Sequence, residues 1–161
     1  MRRIIAFSAL FVFMIPGFAA QNKGEEKQVQ AFVEDFLLRL GDHKFENIDS
    51  LVSPKGLVAI TRFRDNQWTN TYQTMEEWLA GLKKNANAPP FREPLSNVKV
   101  TIDGGHLAHL RGDYHILREG KMQSKGVDQF TLLREPSGWK ISVLAIEATP
   151  IDPPVPVVEK P

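Results

Sequence analysis

From Asn97 to Ala148 the apolar residues recur with a period of two, and this stretch constrains the fold more than any other part of the chain. Turn residues interrupt it at short intervals: Asp103-Gly104-Gly105, Glu119-Gly120 and Glu135-Pro136-Ser137-Gly138. They cut the second half into four strands, residues 98–102, 106–118, 122–134 and 139–148. Loops this short leave no room for crossovers, so the four strands form an antiparallel meander. A sheet of that kind must cover one of its faces.

The first half supplies the cover. Val29, Phe32, Val33, Phe36, Leu37 and Leu40 recur at the three-and-four spacing of an amphipathic helix, with Asn22 and Glu25 in capping-box spacing ahead of it and Gly41 at its end. Phe45, Ile48, Leu51 and Val52 predict a second, shorter helix ending before Pro54. Residues 57–63 read as a strand. Thr74 and Glu77 form a capping box before Met75, Trp78, Leu79 and Leu82, so a third helix runs to about Lys84. Residues 85–94, with three prolines, form a loop. Helices followed by a meander make an α+β layout, with the helices on one face of the sheet. The tail from Thr149 holds Pro150, Pro153, Pro154, Pro156 and Pro161, and is expected to be extended and disordered.

Arg2 and Arg3, the apolar run of residues 4–15 and the breaker Pro16-Gly17 stand in the order of a secretory signal peptide. The run is too short to span a bilayer, which takes roughly 20 residues. Small residues at Gly17 and Ala19 place the cut after Ala19. The expected product is a periplasmic or secreted domain, residues 20–148, followed by the tail, with no membrane attachment after cleavage. Without Arg2 and Arg3, 18 basic residues face 19 acidic ones and the formal charge of +1 becomes −1, which removes the electrostatic case for nucleic acid. The chain has no cysteine, so disulfides, thiolate metal sites and cysteine nucleophiles are excluded.

Alternation along the second meander strand puts His109, Arg111, Asp113 and His115 on one face, and Ala108, Leu110, Gly112, Tyr114 and Ile116 on the other. If the loop at Glu135 is regular, Arg134 pairs with Trp139. Asp128, Phe130 and Leu132 then share a face with Trp139, Ile141, Val143 and Ala145. At Glu119-Gly120 a two-residue turn alone would set Arg111 opposite Asp128. Burial favours a register shifted by one, with Leu110 opposite Phe130, Tyr114 opposite Gly126, and a bulge near the turn. His106, His109 and His115 do not converge on a metal: six residues of strand separate the last two by roughly 20 Å. No cofactor motif is present, and neither a nucleophile elbow nor a phosphate loop is found.

Asp128 is the one carboxylate on an apolar face. Burial there would raise its pKa into the range of a general acid or base, with Tyr114 as partner; the alternative is a structural cap or a rim position. Trp68, Tyr72 and Trp78 are core, lid or ligand-stacking aromatics.

The helix-helix-strand-helix-meander order resembles the nuclear-transport-factor-two-like superfamily, which includes SnoaL-like cyclases and ketosteroid isomerase. Gly126-Val127-Asp128-Gln129-Phe130 and the turn Gly138-Trp139-Lys140-Ile141 add to the likeness, which covers residues 25–148. The resemblance implies a cystatin-like, cone-shaped half-barrel whose curved, mainly antiparallel sheet wraps the helices around an apolar pocket, often in a homodimer. Trp68, Tyr72, Trp78, Leu110, Tyr114, Asp128 and Phe130 are the expected pocket residues. Two functions follow. One is a non-catalytic module that binds a small apolar molecule or pairs through the outer sheet face at Val127, Leu133, Leu144 and Ile146. The other is a small lyase or isomerase in which Asp128 and Tyr114 are catalytic.

Overall fold

Residues 17–156, apart from Ala86, are described by a computed structural model of the chain. Arg2, Arg3 and the apolar run of the leader lie outside them. Helix α1 spans Gly17–Gly41, with a short 3-10 turn at Phe45–Asn47. Strands β1 (Val52–Arg64) and β2 (Gln67–Thr74) precede helix α2 (Met75–Lys83). Strands β3 (Leu95–Asp103), β4 (Leu107–Arg118), β5 (Lys121–Glu135) and β6 (Gly138–Pro156) follow. The six strands form one sheet in the order β2-β1-β6-β5-β4-β3, antiparallel throughout except where β1 runs parallel to β6. The sheet is curved, with both helices packed against it.

The core lies between α1, α2 and the inner sheet face. Val29, Val33, Phe36, Leu37 and Leu40 are buried along one stripe of α1, against Leu110, Phe130, Leu132, Ile141 and Leu144. Phe36 and Phe130 meet edge to face, centroids 6.2 Å apart, a geometry worth about 0.5–1.5 kcal/mol beyond area burial. The capping box of α2 is complete: Glu77 N–H donates to Thr74 Oγ1, and Thr74 N–H donates to the Glu77 carboxylate at 2.8 Å. The Thr74 N–H, together with the Thr74 hydroxyl donating at 2.9 Å, holds the Glu77 carboxyl below its usual range.

The register of β4 against β5 follows burial: Leu110 lies opposite Phe130, Gly112 opposite Asp128 and Tyr114 opposite Gly126, and a bulge between Ile116 and Leu117 reconciles this with the tight turn. Glu119 and Gly120 both take positive φ there, as a type I′ turn requires.

Five expectations need correction. Helix α1 already runs through Asn22, so Asn22 does not stand at an N-cap position. The second helix reduces to the 3-10 turn, since β1 begins at Val52. Strand β2 was not anticipated. It is an edge strand without a buried face, reached through Asp65-Asn66, which take the positive φ of a tight turn without glycine. The tail is not disordered up to residue 156: β6 continues and pairs Lys125 with Thr149 and Met122 with Val155. Its pairing with β1 ends at Ala148, so the prolines fall where β6 has become an edge. Finally, β6 carries a bulge at Ser142, with Thr131 opposite Val143 but Leu132 opposite Ile141. Beyond it Leu144 and Ile146 turn inward, opposite Phe130 and Asp128, while Val143 and Ala145 face outward, the reverse of the regular alternation expected.

Candidate functional site

Asp128 sits mid-strand in β5, facing inward and only 1% exposed, so it is not a rim residue. Its cross-strand neighbour on β4 is Gly112. The space that a side chain would fill there is taken by Leu95, whose Cβ and Cδ2 would lie 3.3 Å from a Cβ added at Gly112. Leu95 opens β3, and its seat on Gly112 brings the segment before it, Glu93-Pro94, over Asp128.

That segment is pinned on its other side too. Arg92 and Leu117 exchange backbone hydrogen bonds of 2.9 and 2.8 Å, and Phe91 N–H donates to the Gly41 carbonyl at 3.0 Å. The Phe91 carbonyl lies so close to Gly41 Cα that a side chain at position 41 would collide with it, so the glycine that ends α1 also seats this loop. Arg92 Nη1 reaches Asp42 Oδ1 at 2.6 Å. Lys44 and Arg92 together hold the Asp42 carboxyl below its usual range. Proline at 94 restricts Glu93 to extended backbone.

As a result, the Glu93 and Asp128 carboxyls hydrogen-bond one another. Two carboxylates cannot share such a bond without a proton between them. Burial pushes the Asp128 carboxyl up to about 7, against a partial lowering by the bond from Glu93. Glu93 is raised well above the carboxylate range, first by burial, then by the Asp128 charge and the shared bond. The protons belong to the pair rather than to either residue. Among the described residues nothing donates to the buried Asp128 Oδ1. A structural cap would collect such donors and hold the carboxyl low.

Tyr114, also buried, completes the group. Its phenol is raised by burial, then by the Asp128 and Glu93 charges, with the Ser124 hydroxyl acting in the opposite direction. It is therefore a neutral O–H donor throughout the physiological range. Glu93, Tyr114 and Ser124 open onto a cavity of about 350 Å³ whose apolar wall includes Leu40, Ile60, Trp78, Leu82 and Phe91. Asp128 lies behind Glu93 and is not part of that wall.

The expected site residues therefore separate. Trp78 and Tyr114 line the cavity, and Asp128 backs it. Leu110 and Phe130 are buried in the core beside Phe36 instead. Trp68 and Tyr72 lie on edge strand β2, opposite Phe63 and Ala59. Tyr72 is 77% exposed and borders a hollow of about 180 Å³ on the outer face with Ala59, Val127 and Ala145. Glu93 was not anticipated. It lies in a proline-rich loop without periodicity, and only its position before Pro94 marks it.

Of the histidines, His109 lies on the outer face with its cross-strand partner Thr131, its Nδ1 3.2 Å from Thr131 Oγ1. No group of three or more potential metal ligands converges among the described residues, and none of their helices is long and apolar enough to cross a membrane.

No family model and no curated protein matches the sequence. Solved structures do. The "putative dehydratase from the NTF2-like family" of Streptomyces avermitilis is 22% identical, with a TM-score of 0.62 over 80% of this chain and 97% of its own. An NTF2-like protein with a cystatin-like fold from Novosphingobium aromaticivorans is 15% identical, at 0.58 over 84% and 88%. A protein of unknown function from Mycobacterium tuberculosis is 15% identical, at 0.66 over 85% and 78%. Identities this low speak to architecture alone: the chain has the nuclear-transport-factor-two-like, cystatin-like fold.

Proposed function

We propose that this chain binds a small, largely apolar molecule in the cavity between α1, α2 and the sheet, and moves a proton on it, as a lyase or isomerase does. The observation that carries this reading is the carboxyl pair. A buried carboxyl facing a second one at the edge of a cavity is costly to maintain, and such pairs gather where proton transfer is needed. Glu93 is the group that touches the ligand. As donor of the shared bond it gives a proton to a leaving oxygen directly, and it takes one from carbon with the shared proton shifted to Asp128, which sets the basicity. Tyr114 donates a hydrogen bond to the oxygen on which charge develops. A first proton loss near neutrality suits general acid or base work at that pH. The dehydratase named among the structural neighbours is compatible with this chemistry but does not assign it. The reading of the cavity as a simple binding pocket rests on its apolar wall alone.

The test is proton exchange in D₂O with a panel of small enones and β-hydroxy carbonyl compounds, followed by NMR. The expected result is exchange or dehydration of at least one of them, about 10²-fold slower in Glu93→Gln, with a pH profile that breaks near 7. Compounds that bind in the cavity yet exchange no faster with the parent chain than with Glu93→Gln would leave a binding module.

A further inference from the structure

The carboxyl pair does not account for another feature of the same cavity. Arg62 and Arg64 on β1 and Arg118 on β4 also line it. Arg62 and Arg64, both exposed, follow Val58 and Ile60 on the same face of β1, so a face that is otherwise apolar ends in two guanidinium groups. The ion pairs of the described residues involve none of the three arginines. Arg118 stands 5.9 Å over the Phe91 ring, and its Nε is buried without a hydrogen-bond partner. A buried guanidinium N–H with nothing to donate to is costly unless something occupies the site. Among the described residues none of the three arginines is ion-paired with Glu93 or Asp128. The cavity therefore offers both an acidic group and cations, with Trp78, Leu82 and Phe91 contributing apolar wall.

We infer that the cavity takes a small amphipathic organic anion, its carboxylate or phosphate head on Arg62, Arg64 and Arg118 and its apolar body directed toward Glu93. This rests on reading the cavity as the ligand site. Guanidinium groups match the two oxygens of either head group. A volume of about 350 Å³ is near the lower end for small-ligand sites, roughly 300–1,000 Å³, and fits a medium-chain or single-ring acid better than a fused polycycle.

The test is calorimetric titration of the full chain with octanoate, octyl phosphate, the uncharged octanamide and inorganic phosphate. At least one tailed anion should bind ten times or more tightly than both octanamide and inorganic phosphate, and the tighter of the two tailed anions identifies the head group. The double variant Arg62→Gln with Arg118→Gln, its fold checked by circular dichroism, should lose about tenfold for the tailed anions and nothing for octanamide. Equal affinity for octanamide, equal loss for every ligand, or no binding of either tailed anion to the folded chain would overturn the inference. Proton transfer by the parent chain separates this proposal from the catalytic one. An inactive parent chain that still selects anions would count against the catalytic reading alone.

Discussion

Gly126 lies directly across β4 and β5 from Tyr114, and the tyrosine ring covers the place where a side chain would stand: an added Cβ would lie 3.0 Å from Tyr114 Cε1 and collide with the Glu147 carbonyl on β6. The glycine thus lets the Tyr114 phenol lie along the cavity floor, two residues from Asp128. Gly126→Ala is expected to cost about 1–3 kcal/mol by overpacking, because one of the neighbours is backbone and cannot swing away. Urea denaturation checks the loss. A variant as stable as the parent would mean that Tyr114 is not packed in this way.

The raised carboxyls give the protein a definite pH dependence. Between the ordinary Asp value of 3.8 and about 7, the native state holds more protons than the unfolded chain, so stability is full at the acid end and falls as pH rises through 7. Asp42, Glu77 and Asp113, whose carboxyls are held low, act in the opposite sense, but their contribution is lost only as pH falls below about 4. The window from 5 to 8 therefore belongs to the buried pair. Melting temperature should fall across it in the parent and fall less in Asp128→Asn, where only Glu93 stays raised by burial; at pH 8 that variant should be within about 1 kcal/mol of the parent or above it. A parent that gains stability from pH 5 to 8 would contradict the shared-proton arrangement.

We propose self-association through the outer sheet face, on a smaller patch than the sequence implied. Leu144 and Ile146 point inward, which leaves Val127, Val143, Ala145, the exposed Tyr72 and Leu133, 47% exposed, as its apolar surface. Light scattering at micromolar concentration should give twice the chain mass, and Leu133→Lys should weaken the dimer tenfold or more. A monomer unaffected by that substitution would remove this interface.

Export remains a proposal resting on the leader alone. Intact-mass measurement of protein recovered from the periplasm or medium should show a chain beginning at Ala20. Recovery of the uncleaved chain from cytoplasm only would refute it.

Most of the scaffold could be read from periodicity because periodicity reports burial. The stripe Val29 to Leu40 and the inward row Ala108 to Tyr114 are buried as their spacing required. The register at Glu119-Gly120 followed because a slip would have exposed Leu110 and Phe130. What could not be read has no periodic signature. Strand β2 is held by its edge pairing with β1, and its side chains alternate without a buried face. The same limit governed the site. Asp128 stood out because it interrupts an apolar row, whereas Glu93 owes its place to Gly41, Leu95 and the Arg92–Leu117 bridge, long-range contacts that local pattern does not encode.

The single extra residue in β6 has a consequence for how this scaffold varies. Deleting Ser142 would only straighten the strand, leaving Val143 opposite Thr131 and Ile146 opposite Asp128. Pairing Ser142 with Thr131 instead, with no bulge, would exchange the two faces of β6 from there on. Ala145 would then stand opposite Asp128 and Glu147 opposite Gly126, which would point a third carboxylate at the pair while Leu144 and Ile146 turned to solvent. One bulged residue thus separates an apolar chamber holding one shared proton from an acidic one better suited to a cation. In a fold of this kind, the place where a strand bulges is as much a determinant of chemistry as the identity of any residue on it.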